Sequence, residues 1–69
     1  MKQRTVRFTH IMSGREKNVA IAHIYYDGVF YEYSVVRYPD VETGTWSHSL
    51  GYYKQYEDAR ERFFEYLQG

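Results

Sequence analysis

The sequence predicts a single α+β domain: a three- to four-stranded antiparallel sheet followed by one C-terminal helix packed on one face, in the order β-β-β-β-α. Three observations carry this expectation. Apolar and polar residues alternate with a period of two through most of the first 38 residues. Asp27-Gly28 stands between two such runs and has the composition of a two-residue hairpin turn. Past Gly51 the apolar spacing changes to three and four, the period of a helix. With 69 residues the whole chain, 1–69, is expected to form one small domain.

The first strand runs from Arg4 to Met12, with Val6, Phe8, His10 and Met12 alternating with Thr5, Arg7, Thr9 and Ile11. Ser13 to Lys17 is polar, contains Gly14, and turns the chain into a second strand, Asn18 to Tyr26. Asp27-Gly28 follows as a type I′ turn, which pairs Tyr26 with Val29 and opens a third strand, Val29 to Tyr38, stopped by Pro39. Counting back from that turn, Ala20, Ala22, Ile24 and Tyr26 share a face with Val29, Tyr31, Tyr33 and Val35. Val19, Ile21, His23 and Tyr25 share the other with Phe30, Glu32, Ser34 and Val36. The first set is uncharged and has two Ala where a helix can approach closely, so it is expected to be the core face. The five-residue loop leaves open which face Val6, Phe8 and Met12 join, since a bulge reverses the alternation. Asp40 to Gly44 is a polar loop, Thr45 to Leu50 a short fourth strand, and Gly51 a bend. From about Gln55 to Leu67, Tyr56, Ala59, Phe63, Tyr66 and Leu67 recur at helical spacing, with Glu57 and Asp58 where the helix dipole favours negative charge.

Composition narrows the function. Residues 1–24 carry five Lys or Arg against one Glu, and residues 25–69 carry four against eight acids, so halves of about +4 and −4 cancel. A neutral total argues against a protein whose main work is coating nucleic acid. The absence of Cys, of an apolar run of signal-peptide length and of an 18-residue apolar span leads us to expect a cytoplasmic protein with no membrane partner. His10, His23 and His48 show no metal-ligand spacing, and His23 is expected opposite Glu32 as a cross-strand pair. No catalytic motif accompanies them, so no enzyme activity, cofactor or metal is expected.

Nine Tyr, four Phe and one Trp exceed what so small a core can absorb with satisfied hydroxyls. Some are therefore expected to face outward. The second sheet face, with Val19, Ile21, Tyr25, Phe30 and Val36, reads as a docking surface, and Glu57, Glu61 and Glu65 form an acidic stripe on the helix. The expected function is that of a non-enzymatic binding or inhibitor protein that docks on a protein partner and self-associates as a homodimer to cover its second face. One alternative is nucleic-acid binding by the basic first hairpin, through Lys2, Arg4, Arg7, Arg15 and Lys17. Another is a nucleotide-sequestering protein with a Tyr-lined site.

From Tyr25 to Leu67, the hairpin, the strand near Leu50 and the helix centred on Ala59 resemble in topology the N-terminal DNA-binding modules of tyrosine recombinases and the plant-type AP2 fold. That resemblance implies a sheet that enters the major groove, whereas the third strand offers only Arg37 as a base, with Glu32 beside it. The short chain is also similar in size and style to phage and mobile-element (viral) inhibitors such as anti-CRISPR proteins. This second resemblance implies action by occlusion of a larger machine.

Overall fold

A computed structural model describes residues 2–15 and 17–69; Met1 and Glu16, the latter within the expected first hairpin loop, lie outside the described residues. Four strands, β1 (Arg4–Ser13), β2 (Asn18–Tyr26), β3 (Val29–Arg37) and β4 (His48–Tyr53), form one antiparallel sheet in the order β1-β2-β3-β4. One helix, α1 (Tyr56–Gln68), follows and packs on the sheet. The expected α+β architecture is the observed one.

The Asp27-Gly28 turn has positive φ at both residues, 52° and 80°, and pairs Tyr26 with Val29 as the sequence requires. Beyond that pair the expected register fails. Tyr25 pairs with Phe30, but Ile24 pairs with Glu32, so Tyr31 is an extra residue in β3 and every later pairing moves by one. His23 therefore faces Tyr33 and not Glu32, which removes the expected charge pair.

That bulge also exchanges the roles of the two faces. It brings Tyr33 and Val35 alongside Val19 and Ile21, and sends Glu32, Ser34 and Val36 to the side of Ala20, Ala22 and Ile24. The helix then packs on the aliphatic side, opposite to expectation: Ala59 and Phe63 of α1 join Val19, Ile21 and Val35 in the main core, flanked by Tyr33, Leu50, Tyr53, Tyr56, Tyr66 and Leu67. The small residue that permits close approach is Ala59 on the helix rather than an Ala of the sheet. Each of Val19, Ile21, Val35 and Phe63 is buried, which stabilises the fold by roughly 1.5–3 kcal/mol per side chain.

The alanine face is covered by other means. Trp46 packs against Ala20, Ala22 and Val36, as do Val6 and Phe8, their neighbours on the same face of the sheet. The expected fourth strand begins three residues late, at His48, which leaves Trp46 in the β3–β4 connection. This connection is held by an Asp40–Thr45 bridge and by Asp40 Oδ1, which accepts the N–H groups of Glu42 and Thr43. Trp46 meets Phe8 edge-on at 6.2 Å, and the Arg4 guanidinium lies 4.8 Å from the indole centre. Gly51 is not a bend but part of β4, beside a further bulge at Leu50. The Tyr53 ring lies so close to it that a Cβ there would stand 2.5 Å from the phenol oxygen.

A third bulge lies in β1 between Thr9 and Met12. Before it, Val6 and Phe8 point to the alanine face; after it, Met12 pairs with Val19 on the helix side. This answers the question the first loop left open, by dividing the three residues between the faces. Among the described residues no helix is long and apolar enough to cross a membrane.

Candidate functional site

A 13-residue helix is about 20 Å long, whereas a nine-residue strand reaches about 30 Å, so α1 cannot cover the length of the sheet. Its first residue, Tyr56, lies beside His10, His23 and Tyr33, and its last turn lies beside Lys17 and Arg37. What extends past its N-terminus is the β2–β3 hairpin, whose residues 25–31 read Tyr-Tyr-Asp-Gly-Val-Phe-Tyr. Val29, Phe30 and Tyr31 are 69, 37 and 49% exposed.

The hairpin end is aromatic on both sides and internally braced. On the helix side, Tyr25 and Phe30 meet edge-on at 5.8 Å, and Phe30 lies 4.5 Å from Tyr33. On the other side, Tyr26 and Tyr31 meet at 5.1 Å, and Lys54 sits 3.7 Å over the Tyr31 ring while donating to the Tyr31 carbonyl at 2.8 Å. The turn is tied to the start of the chain: Asp27 N–H donates to the Gln3 carbonyl, and Gln3 N–H to Asp27 Oδ1, both at 2.8 Å. A surface held in this way loses little conformational freedom on binding.

Beneath this end lies a hydrogen-bonded chain that joins β1, β2 and α1. Tyr56 Oη lies 2.9 Å from His10 Nε2, His10 Nδ1 lies 3.1 Å from Thr9 Oγ1, and Thr9 Oγ1 lies 2.7 Å from His23 Nε2. Neutral imidazoles satisfy all three contacts if Tyr56 donates to His10, His10 to Thr9, and Thr9 to His23; the reversed direction serves equally. The β1 bulge creates this chain by turning His10 toward the helix, at a φ of 56° that costs a non-glycine residue on the order of 1 kcal/mol or more. Burial, then the neighbouring His10 and Arg7, push the His23 imidazole below its ordinary pKa of 6.5. It is therefore neutral at neutral pH. His48 is exposed on β4, where it pairs with Arg37 away from the other two histidines. Among the described residues no group of three or more His, Cys, Asp or Glu could hold a metal ion.

Of the residues expected at a partner surface, Tyr25 and Phe30 come together at the hairpin end. Glu57, Glu61 and Glu65 are exposed on the outer side of α1, around Phe64. Ile21 and Val36 are not available: both are buried, Ile21 under the helix and Val36 under the Trp46 layer, because the Tyr31 bulge put them on opposite faces. Val19 is buried likewise. A helix packs on one face of the sheet, and Trp46 packs against the other. Val29 and Tyr31, expected on the core face, are instead exposed, because they stand beside a two-residue turn beyond the reach of a short helix.

The five basic residues of the first hairpin do not share a surface. Arg4 lies on Trp46, Arg7 on the opposite face near Tyr25, and Lys17 donates to the Tyr66 carbonyl at 2.6 Å. There Lys17 supplies the positive charge that the last turn of α1 lacks. Lys2 and Arg15 are exposed. Comparison with protein-family models, with curated proteins and with solved structures finds no match to this chain.

Proposed function

We propose that this protein is a non-catalytic binding protein that docks on a protein partner by inserting the aromatic end of its β2–β3 hairpin into an apolar recess, and so occludes that surface. The observation that carries the reading is the run 25–31, whose exposed Val29, Phe30 and Tyr31 serve neither core. Rigid aromatic side chains at a protruding, braced site have the composition of interface anchors. The acidic outer side of α1 offers a second contact, to a basic part of the same partner. Nucleic-acid binding by the first hairpin receives less support, because its basic residues are spread over both faces and both ends of the sheet.

Capture from a lysate treated with nuclease, by wild type and by Phe30→Ser and Tyr31→Ser, tests the proposal. Each substitution is expected to weaken capture of the same protein by about 2 kcal/mol, some thirtyfold, while the variants stay folded. Capture that survives both substitutions, or that disappears with nuclease, would refute it.

A further inference from the structure

Beside the hairpin, on the helix side of the sheet, Thr5, Arg7, Tyr25 and Gly28 line a cavity of about 190 Å³. We infer that this cavity is a carboxylate site, which receives an acidic side chain of the protein partner while the hairpin end is inserted. The inference rests on the docking reading above and names the partner chemistry it requires.

Arg7 is central to it. Its guanidinium meets the Tyr25 ring at 6.0 Å, the outer limit of a cation–π contact, and brings five N–H donors to the cavity wall. Its charge is not silent, since it is one of the causes that hold the His23 imidazole, paired with it across the strands, in the neutral form. Thr5 adds a hydroxyl donor and Tyr25 a wall, and the Asp27–Gln3 bonds brace the cavity's edge. A carboxylate suits this set because an arginine fork takes two parallel hydrogen bonds from it. A nucleic-acid backbone would call for several cations side by side, and here Arg4 lies on the other face and Lys17 at the far end of the helix.

The experiment uses acetate as the probe, with inorganic phosphate as its comparison, at constant ionic strength. Backbone amide shifts and the ring proton of His23 are followed by NMR. Acetate is expected to shift the amides of Thr5, Arg7, Tyr25 and Gly28 saturably in the millimolar range. It should also move the His23 titration midpoint to higher pH, because a bound carboxylate offsets the Arg7 charge. Arg7→Gln is expected to abolish both responses and Arg7→Lys to weaken them, with the rest of the spectrum unchanged. Unsaturable or absent acetate shifts overturn the inference, as do shifts that persist in Arg7→Gln or larger saturable shifts with phosphate. Phe30→Ser separates this site from the docking proposal: it should lose partner capture and keep the acetate response, and loss of that response would overturn an independent carboxylate cavity.

Discussion

The two faces of the sheet are closed by different means. On one side a helix brings Ala59 and Phe63 onto Val19, Ile21 and Val35. On the other, an irregular connection brings Trp46 against Ala20, Ala22 and Val36, beside Val6 and Phe8 of the edge strand. The helix takes the side with the larger aliphatic side chains, where the area to be buried is greatest. The alanine side forms a shallow floor, which a flat indole covers without regular structure. A small residue in a strand is thus a poor guide to where a helix docks, because the close approach can be made by a small residue of the helix instead.

This comparison makes Phe63→Ala the most damaging single truncation, with an expected loss of about 3–5 kcal/mol in urea unfolding. Trp46→Ala removes a larger ring, but a half-buried one, and is expected to cost roughly 2 kcal/mol. Equal losses at the two positions would break the ranking of the faces and make the Trp46 layer a core of the same standing.

The register that created this division begins at the turn. Gly28 has open space around a would-be Cβ and a φ of 80°, so the cost of Gly28→Val is purely one of backbone conformation, about 1–2 kcal/mol. Gly28→Asn should recover most of it, because Asn tolerates the left-handed region. An Asn variant as unstable as the Val variant would locate the requirement in the side chain rather than in φ.

A smaller effect concerns pH and the helix side alone. His23 is held below its ordinary pKa of 6.5 in the folded chain, so as pH falls below that value the unfolded chain binds more protons. The stability that His23 contributes is complete above about pH 6.5 and is lost progressively on acidification. Thermal unfolding from pH 7.5 down to 5 should show this fall, and His23→Gln should flatten it. Stability that rises on acidification would contradict the placement of His23 beside His10 and Arg7. The smallest expected change is in Tyr31→Ser, within about 0.5 kcal/mol of wild type in unfolding, since its half-exposed ring belongs to neither layer. A marked loss there would mean the hairpin end is structural and would remove the ground for a docking role.

Much of the fold was legible in the sequence because its signals are local. Alternation in residues 4–12, 18–26 and 29–38, the Asp27-Gly28 pair and the Tyr56–Ala59–Phe63 spacing depend on neighbours along the chain, and the observed elements answer to them within a few residues. The site was legible only in part. Tyr25 and Phe30 precede or immediately follow the turn, before the Tyr31 bulge acts, so simple counting placed them together. Ile21 and Val36 lie beyond it, and counting put them on one face when they occupy two.

By itself, then, the sequence determined the number and order of elements, the position of the hairpin turn and the excess of aromatic side chains over core. The tertiary structure decided which face the helix covers, that Trp46 covers the other, that Lys17 serves the end of α1, and that His10, Thr9, His23 and Tyr56 meet. The reason is common to all of these. Each β-bulge inserts one residue into one strand, which reverses side-chain orientation along everything beyond it. Where such a residue sits is set by the side chains that must fit across the sheet and under the helix, and those neighbours are distant in sequence.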